Sequence, residues 1–457
     1  MKRASGGALG AFTLLVGVLA PTVASAQAPE TATCAGRAVT ISWQPGVPTI
    51  NGTGGPDVIQ GGPENETINA GGGEDVVCGG DGADVIDGGP GRDELLGQDG
   101  SDRFKGADLG QDVVTGGIHA DDQAAYNQLP AGVGVNETTG LVHMTGAGVD
   151  GGILGVERVL GTNFDDHLIG RAGHDVLFGR GGEDTIDGRA GDDHLDGSIG
   201  DDTVTYQAAS AAVVVDIGGG TGRIGNTADD LTDFEGVIGT RFDDRIVGSS
   251  DPEHFEGGGG DDVVKGRGGD DVLDGGGDDD VFHPGPGDDF IDGGANDPVT
   301  SSGEHGDLVS YQGDVLPAGV THLDVALYYF APTNNPPYAS GIGEDQLSGI
   351  ESARGVKNGQ NQISGNDGPN VLIGGDGQSF LAGRGGNDLV YGLGGVDTLN
   401  GDYPGGSNPS VFGDDYLDGG APNGPGDFDS VHGNGGDDTC TGAIPDGDNM
   451  ATCETIF

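Results

Sequence analysis

A nine-residue period constrains this chain more than any other feature. Residues 79–87 are GGDGADVID, 88–96 are GGPGRDELL and 97–105 are GQDGSDRFK. The template is G-G-x-G-x-D-x-U-x, where U is a large apolar residue. Position six holds Asp84, Asp93 and Asp102, and position eight holds Ile86, Leu95 and Phe104. Short units kept in phase stack as a solenoid, each burying its apolar side against its neighbours. The glycine-rich half is a tight turn, because glycine accepts positive φ and lets carbonyls converge on one hollow. The x-U-x half is a strand too short to stand alone, with one inward side chain that joins a thin apolar spine. Two nonapeptides make one coil, so same-side turns lie 18 residues apart. The expected fold is all-β, a parallel β-roll or β-solenoid of nonapeptide turns. A flexible glycine linker would have no reason to hold Asp and an aliphatic residue at constant phase.

The phase returns after each interruption. Asp75 and Asp112 flank the first run. A second block carries Asp166, Asp175, Asp184, Asp193 and Asp202, with Leu168, Leu177, Ile186, Leu195 and Val204 two residues after each. A third carries Asp244, Asp262, Asp271, Asp280 and Asp289. A fourth, weaker one runs through Asn361, Asn370, Ser379, Asp388 and Asp397, and a ragged stretch includes Asp415, Asp429 and Asp438.

Composition sharpens this. There are 99 Gly, and 75 Asp plus Glu face 18 Lys plus Arg, for a formal charge of -57. Such a chain would ordinarily stay disordered. It can stack thin coils only if something cancels the charge. Calcium is abundant outside cells and accepts roughly 6–8 oxygen ligands at ~2.3–2.6 Å, carbonyls as well as carboxylates. Coils ~4.8 Å apart would let one ion bridge two same-side turns. The candidate ligands are Asp75, Asp84, Asp93, Asp102, Asp112, Asp166, Asp175, Asp184, Asp193, Asp202, Asp244, Asp262, Asp271, Asp280, Asp289, Asp388, Asp397 and Asp438. Same-side partners would be Asp84 with Asp102, Asp166 with Asp184, Asp175 with Asp193, and Asp262 with Asp280. Turns altered by Glu64 and Glu66, by Pro252 and Glu253, or by the uncharged Asn361, Asn370 and Ser379 should bind calcium less well. The strongest sites should lie in Asp75–Asp112, Asp166–Asp202 and Asp262–Asp289. Nucleic acid is excluded as a partner by like charge.

The motif in GGDGADVID, and in GRGGEDTID at 179–187, resembles the haemolysin-type (RTX) calcium-binding repeat proteins, here of the Sec-exported bacterial type. That resemblance implies a parallel β-roll with calcium inside its turns, ligated by the position-six aspartates.

The first 26 residues have the three parts of a secretory signal. Lys2 and Arg3 precede an apolar run from Ala8 to Ala20, and Ala24, Ser25 and Ala26 offer a cleavage site. The run is shorter than the ~20 residues of a membrane span, and no transmembrane segment follows. A secreted, extracellular chain is expected. Four cysteines in an exported chain suggest two disulfides, with three connectivities open. Cys34 with Cys78 and Cys440 with Cys453 is the preferred pairing, since both lie at chain ends where a stack frays. The organisation expected is a signal at 1–26, an N-terminal cap at 27–51, and roll blocks at 52–117, 161–205, 239–296 and 356–441. Inserted longer coils fall at 118–160, 206–238 and 297–355, and a C-terminal cap at 442–457.

The inserts are related. Each opens on Asp-x-x-x-Tyr (Asp122 to Tyr126, Asp202 to Tyr206, Asp307 to Tyr311) and closes on an apolar residue and glutamate (Val156-Glu157, Phe234-Glu235, Ile350-Glu351). Strands in a broader sheet are expected there, with the tyrosines packing over the end of the thin roll. The third insert concentrates aromatics, at Tyr328, Tyr329, Phe330 and Tyr338, and is the preferred place for any ligand other than calcium.

Neither H-E-x-x-H nor G-x-S-x-G occurs. No block outside the repeats exceeds about sixty residues, below the ~100–150 of a typical domain. The expectation is a non-enzymatic, calcium-binding structural or surface-associated protein. The alternatives are an extracellular module contacting polysaccharide or a cell surface, or an uncharacterised hydrolase.

Overall fold

A computed structural model describes residues 32–106, 111–117, 121–144, 150–295, 306–314, 316, 318, 320–327, 338–342, 344–402, 413–420, 429–441, 449–451, 453 and 455–456. The signal-like segment therefore lies outside the described residues, as do Tyr328, Tyr329 and Phe330.

The described chain is all-β, with all strands but an N-terminal hairpin in two long, mostly parallel sheets. Successive nonapeptides alternate between them. Val85–Asp87 pairs with Arg103–Lys105 in one sheet, while Glu94–Asp99 pairs with Val113–Gly117 in the other. The offset within a sheet is 18 residues, as Val85 opposite Arg103 illustrates. Position-eight side chains all turn inward. Ile86, Leu95, Phe104, Leu168, Ile186, Leu195, Val264, Leu273, Phe282 and Ile291 are fully buried in one continuous core. Burying such a side chain contributes roughly 1.5–3 kcal/mol. Most flanking strand residues face out, partly or fully exposed.

Glycine is required where coils touch. A Cβ on Gly100 would lie 1.5 Å from the carbonyl oxygen of Gly82, one coil back. Position four has no room for a side chain in that turn, whereas Phe164 and Phe242 occupy it in the turns that follow the first two inserts.

Each insert has the same architecture. In the first, Val113–Gly117 is followed across its sheet by Asp150–Leu154, Leu141–Met144, Val133–Asn136 and then His167–Ile169. The middle strand runs antiparallel. The third insert repeats this in the same sheet with Glu344–Ser348, Tyr338–Ser340 and His322–Ala326. The second does so in the opposite sheet with Thr227–Thr232, Thr221–Ile224 and Val213–Asp216. Meanwhile the facing sheet adds ordinary parallel strands, such as Gln123–Ala125 beside Arg158–Leu160. One sheet is locally broadened, as the alternating apolar residues implied. The tyrosines sit elsewhere than expected: Tyr126, Tyr206 and Tyr311 are buried within the stack, because strands continue on both sides of each insert.

Both expected disulfides form. Cys34 and Cys78 are bridged with Cα atoms 5.8 Å apart, and Cys440 and Cys453 with Cα atoms 6.0 Å apart. The Thr33–Cys34 and Arg37–Ala38 hairpin is thereby pinned to the strand Val76–Asp81, where Cys34, Val76 and Cys78 form a small cluster outside the main core.

Candidate calcium sites

The position-six aspartates form two ladders, one along each edge of the roll. Asp84 N–H donates to Oδ1 of Asp102 at 2.9 Å, Asp166 to Asp184 at 2.8 Å, Asp175 to Asp193 at 2.9 Å and Asp262 to Asp280 at 2.8 Å. These are the four same-side pairs the period selected. The pattern takes in nearly every candidate ligand. Asp75, Asp93, Asp112, Asp202, Asp271 and Asp289 accept from Asp57, Asp75, Asp93, Asp184, Glu253 and Asp271. Further along, Asp388, Asp397 and Asp438 accept from Asn370, Ser379 and Asp415.

The second carboxylate oxygen has a different fate. Among the described residues, Oδ2 of Asp84, Asp102, Asp184, Asp193, Asp202, Asp262, Asp271, Asp280 and Asp289 is buried with no hydrogen-bond partner. It lies under the position-one glycine of its own turn. A Cβ on Gly97 would meet Asp102 Oδ2 at 2.2 Å, and one on Gly179 would meet Asp184 Oδ2 at 2.2 Å. Glycine thus opens a slot that the carboxylate enters.

A buried carboxylate with an unpartnered oxygen is costly unless it takes up a proton or faces a cation. Burial is the main cause of the upward shifts here, with neighbouring carboxylates adding to it. It pushes Asp84, Asp184, Asp193, Asp262 and Asp289 up to about 7 and Asp280 up to about 8. Near neutral pH these groups need positive charge. The donor set suits a hard cation, since it consists of carboxylate oxygens beside carbonyl-rich turns. Among the described residues no three or more His, Cys, Asp or Glu side chains converge as a metal cluster. An ion between turns would draw on the ladder carboxylates and complete its shell with backbone carbonyls, which calcium accepts and softer metals do not favour.

A family model described as the RTX calcium-binding nonapeptide repeat (4 copies) matches residues 49–77, 79–108, 152–186, 160–195, 172–204, 238–273, 247–282, 256–291, 358–378, 364–399 and 425–444. The chain belongs to the RTX calcium-binding repeat proteins. Its matched segments coincide with the stretches where the ladder and the glycine slots recur. Repeats of this family are structural rather than catalytic. No curated protein matches the chain.

Within this RTX array the turns are not equal, and sequence reasoning ranked several alike that differ in structure. After the first insert, Asp166 is bonded within its own turn by Thr162, from N–H at 2.5 Å and from Oγ1 at 2.9 Å, and Val133 N–H supplies a third bond. Asp244 repeats this with Thr240 and Val213. Asp175 is held by Arg171, through Nε at 3.0 Å and backbone N–H at 2.8 Å, and Arg171 also reaches Glu157 at 2.7 Å. A tethered guanidinium thus supplies the positive charge at that RTX turn. The uncharged turns are closed by hydrogen bonds. Asn370 Nδ2 donates to Glu351 O at 2.6 Å, and Asn361 Nδ2 donates to Val356 O at 3.2 Å.

The ladder also crosses the inserts, through residues the period could not reveal. The closing glutamates take the position-six place: Glu157, Glu235 and Glu351 accept from the N–H groups of Asp122, Asp202 and Asp307. On the other edge, Asp193 donates to Asp229 and Asp289 to Asp345. Tyr206 and Tyr311 then donate their hydroxyls to Asp229 Oδ2 at 3.0 Å and Asp345 Oδ2 at 2.5 Å. The tyrosine does for an insert carboxylate what a cation would do for a turn. In the first insert the corresponding place is Gly151, one residue before the Gly152 that faces Val113. There the Tyr126 hydroxyl is buried without a partner among the described residues. Glu137 stands where the other inserts have Ile217 and Leu327, each of these three donating N–H to the adjoining coil. Burial pushes its carboxyl up to about 8.

Removing the Tyr206 hydroxyl strands Asp229 Oδ2 in the core. Tyr206→Phe should cost ~1–3 kcal/mol, the penalty for an unsatisfied buried acceptor. It should lower the melting temperature in saturating calcium. Tyr126→Phe, which removes no hydrogen bond, should cost much less, so equal losses for both would contradict this role.

Proposed function

We propose that this chain is a secreted calcium-binding repeat protein, in which ions held between stacked RTX turns drive folding, and that it serves a structural or surface-associated role outside the cell. The observation that carries the reading is the recurrence of a buried, partnerless Oδ2 beneath a glycine slot, in phase with the turns. Asp84, Asp102, Asp184, Asp193, Asp202, Asp262, Asp271, Asp280 and Asp289 would hold the ions most strongly. Asp166, Asp175 and Asp244, already bonded by Thr162, Arg171 and Thr240, would contribute less. The leader-like first 26 residues and the disulfides support an extracellular location, because disulfides persist in oxidising compartments.

Equilibrium dialysis with calcium counting tests the proposal. Multiple ions per chain are expected. Asp184→Ala should remove up to two of them, because this residue pairs with Asp166 on one side and Asp202 on the other. Asp175→Ala should lose fewer. A chain that retains no calcium, or an Asp184→Ala variant with an unchanged count, would overturn it.

A further inference from the structure

The two outer faces of the roll differ sharply in charge. From Arg245–Val247 onward, one sheet continues through Val263–Lys265, Val281–His283, Leu308–Ser310, Ser352–Arg354, Val371–Gly375, Leu389–Leu393 and Tyr416–Asp418, all parallel and in register. Flanking each buried position-eight residue, these strands bear no carboxylate until Asp418, in a chain with 75 acidic residues. They bear Arg245, Lys265, His283 and Arg354 instead. Over the same coils the opposite sheet presents Glu256, Asp274 and Asp292.

Lys265 and His283 are side by side, and Arg354 is two strands further along the same column, so the three span ~14 Å at ~4.8 Å per strand. They are close enough to repel. Burial and the charges of Arg245 and Arg267 lower the Lys265 ammonium, against the opposing pull of Asp314. Burial together with Lys265, Arg245 and Arg354 lowers His283. Among the described residues, Arg245, Lys265 and Arg354 make no ion pair within 4.0 Å, and the Arg354 Nε is buried without a hydrogen-bond partner. By contrast, Lys105 on this sheet is paired with Asp87 at 3.0 Å. Beyond the cations, Tyr391 and Tyr416 lie with ring centroids 5.9 Å apart. The packing of the roll needs none of this. Clustered like charges cost stability that Asp314 offsets only at Lys265, and an anion laid along the column would relieve the rest.

We infer that this face, from Arg245 to Tyr416, binds an extended anionic polysaccharide, its carboxylate or sulfate groups along the basic column and its sugar rings against the tyrosine pair. A glycan with about one charge per sugar fits better than nucleic acid. Duplex DNA carries a charge every ~1.7 Å, far denser than a column whose strands lie ~4.8 Å apart. The inference relies on the calcium-loaded roll only for the fold, and calcium counting tests that fold separately from polymer retention.

The test uses the full chain at constant calcium on immobilised polygalacturonate, dextran sulfate and neutral dextran, with duplex DNA as a competitor. Retention on one or both charged glycans and not on dextran is expected, the two arms separating carboxylate from sulfate. The combined variant Arg245→Ser, Lys265→Ser, Arg354→Ser should weaken Kd about tenfold or more with an unchanged β spectrum, while Lys105→Ser should not. If the combined variant fails to fold, the exposed Arg245→Ser alone should still weaken binding about threefold. Wild-type affinity in these variants would mean that calcium bridges between carboxylates hold the polymer, and would overturn the inference. Equal retention on dextran, or equal competition by DNA, would overturn it as well.

Discussion

Stripping calcium from the protein at pH 7.5 will abolish most of its β-sheet circular dichroism, and millimolar calcium will restore it. The size of the effect follows from the ladders. At this pH the carboxyls that burial pushes up to about 7 are largely ionised, and each faces a dry slot with one oxygen unpartnered. A ligand that binds only the folded state adds ~2.7 kcal/mol per site when present at 100 times its Kd. Four such sites match or exceed much of the ~5–15 kcal/mol net stability of a typical domain. The transition should be cooperative in calcium, since each coil contacts only its neighbours and an ion between two turns orders both. Magnesium should substitute poorly, because it demands near-octahedral geometry at ~2.0–2.1 Å and gives up water reluctantly. A full β spectrum and an unchanged melting temperature in excess chelator would refute calcium-driven folding.

How far the sequence carried the fold depends on phase. The nonapeptide assigned Ile86, Phe104 and Ile186 their inward positions directly, because a period of nine fixes which side chain faces in. It also paired Asp84, Asp166 and Asp262 with their same-side partners before any contact was known. The signal failed where chain length between ladder members varied. Asp345 stands 56 residues after Asp289, so no fixed offset links them. Yet Asp345 precedes Leu347 by two, and Asp229 precedes Leu231 by two, the same Asp-x-apolar phase as the regular turns. The closing glutamates carry the phase too: Glu157, Glu235 and Glu351 each precede a buried apolar residue by two, at Val159, Val237 and Ala353, so only the change from Asp to Glu hid them as ladder members. Arg171 was hidden for another reason. Arginine also follows the first glycine at Arg180, Arg189, Arg267 and Arg384, where the backbone has positive φ. Arg171 is not among the positive-φ residues, and its side chain turns back onto Asp175. Backbone conformation, not residue type, separates an arginine that turns onto its own ladder aspartate from one that does not.

Acidifying the calcium-free protein should refold it, which is the reverse of ordinary acid denaturation. The sign follows from the direction of the shifts. Asp184, Asp193, Asp262 and Asp289 rise from 3.8 to about 7 in the folded chain, and Asp280 to about 8. Between those values the folded state binds more protons than the unfolded one. Their contribution is fully present below pH ~4 and is lost as pH climbs through ~7, at up to ~1.4 kcal/mol per pH unit for each group. Calcium-free protein should therefore melt higher at pH 4.5 than at pH 7.5. Calcium-loaded protein should move the other way, since protons compete for the same oxygens, and the two melting curves should converge toward acid. General charge repulsion predicts the same direction for the calcium-free chain, so salt must separate the two causes. At 1 M sodium chloride the Debye length is ~3 Å, which screens exposed carboxylates but not those inside the slots. High salt at pH 7.5 should fail to reproduce the effect of acid. If it restores the β spectrum as well as acid does, the relevant charges are on the surface, and the buried ladder is not what holds the empty roll open.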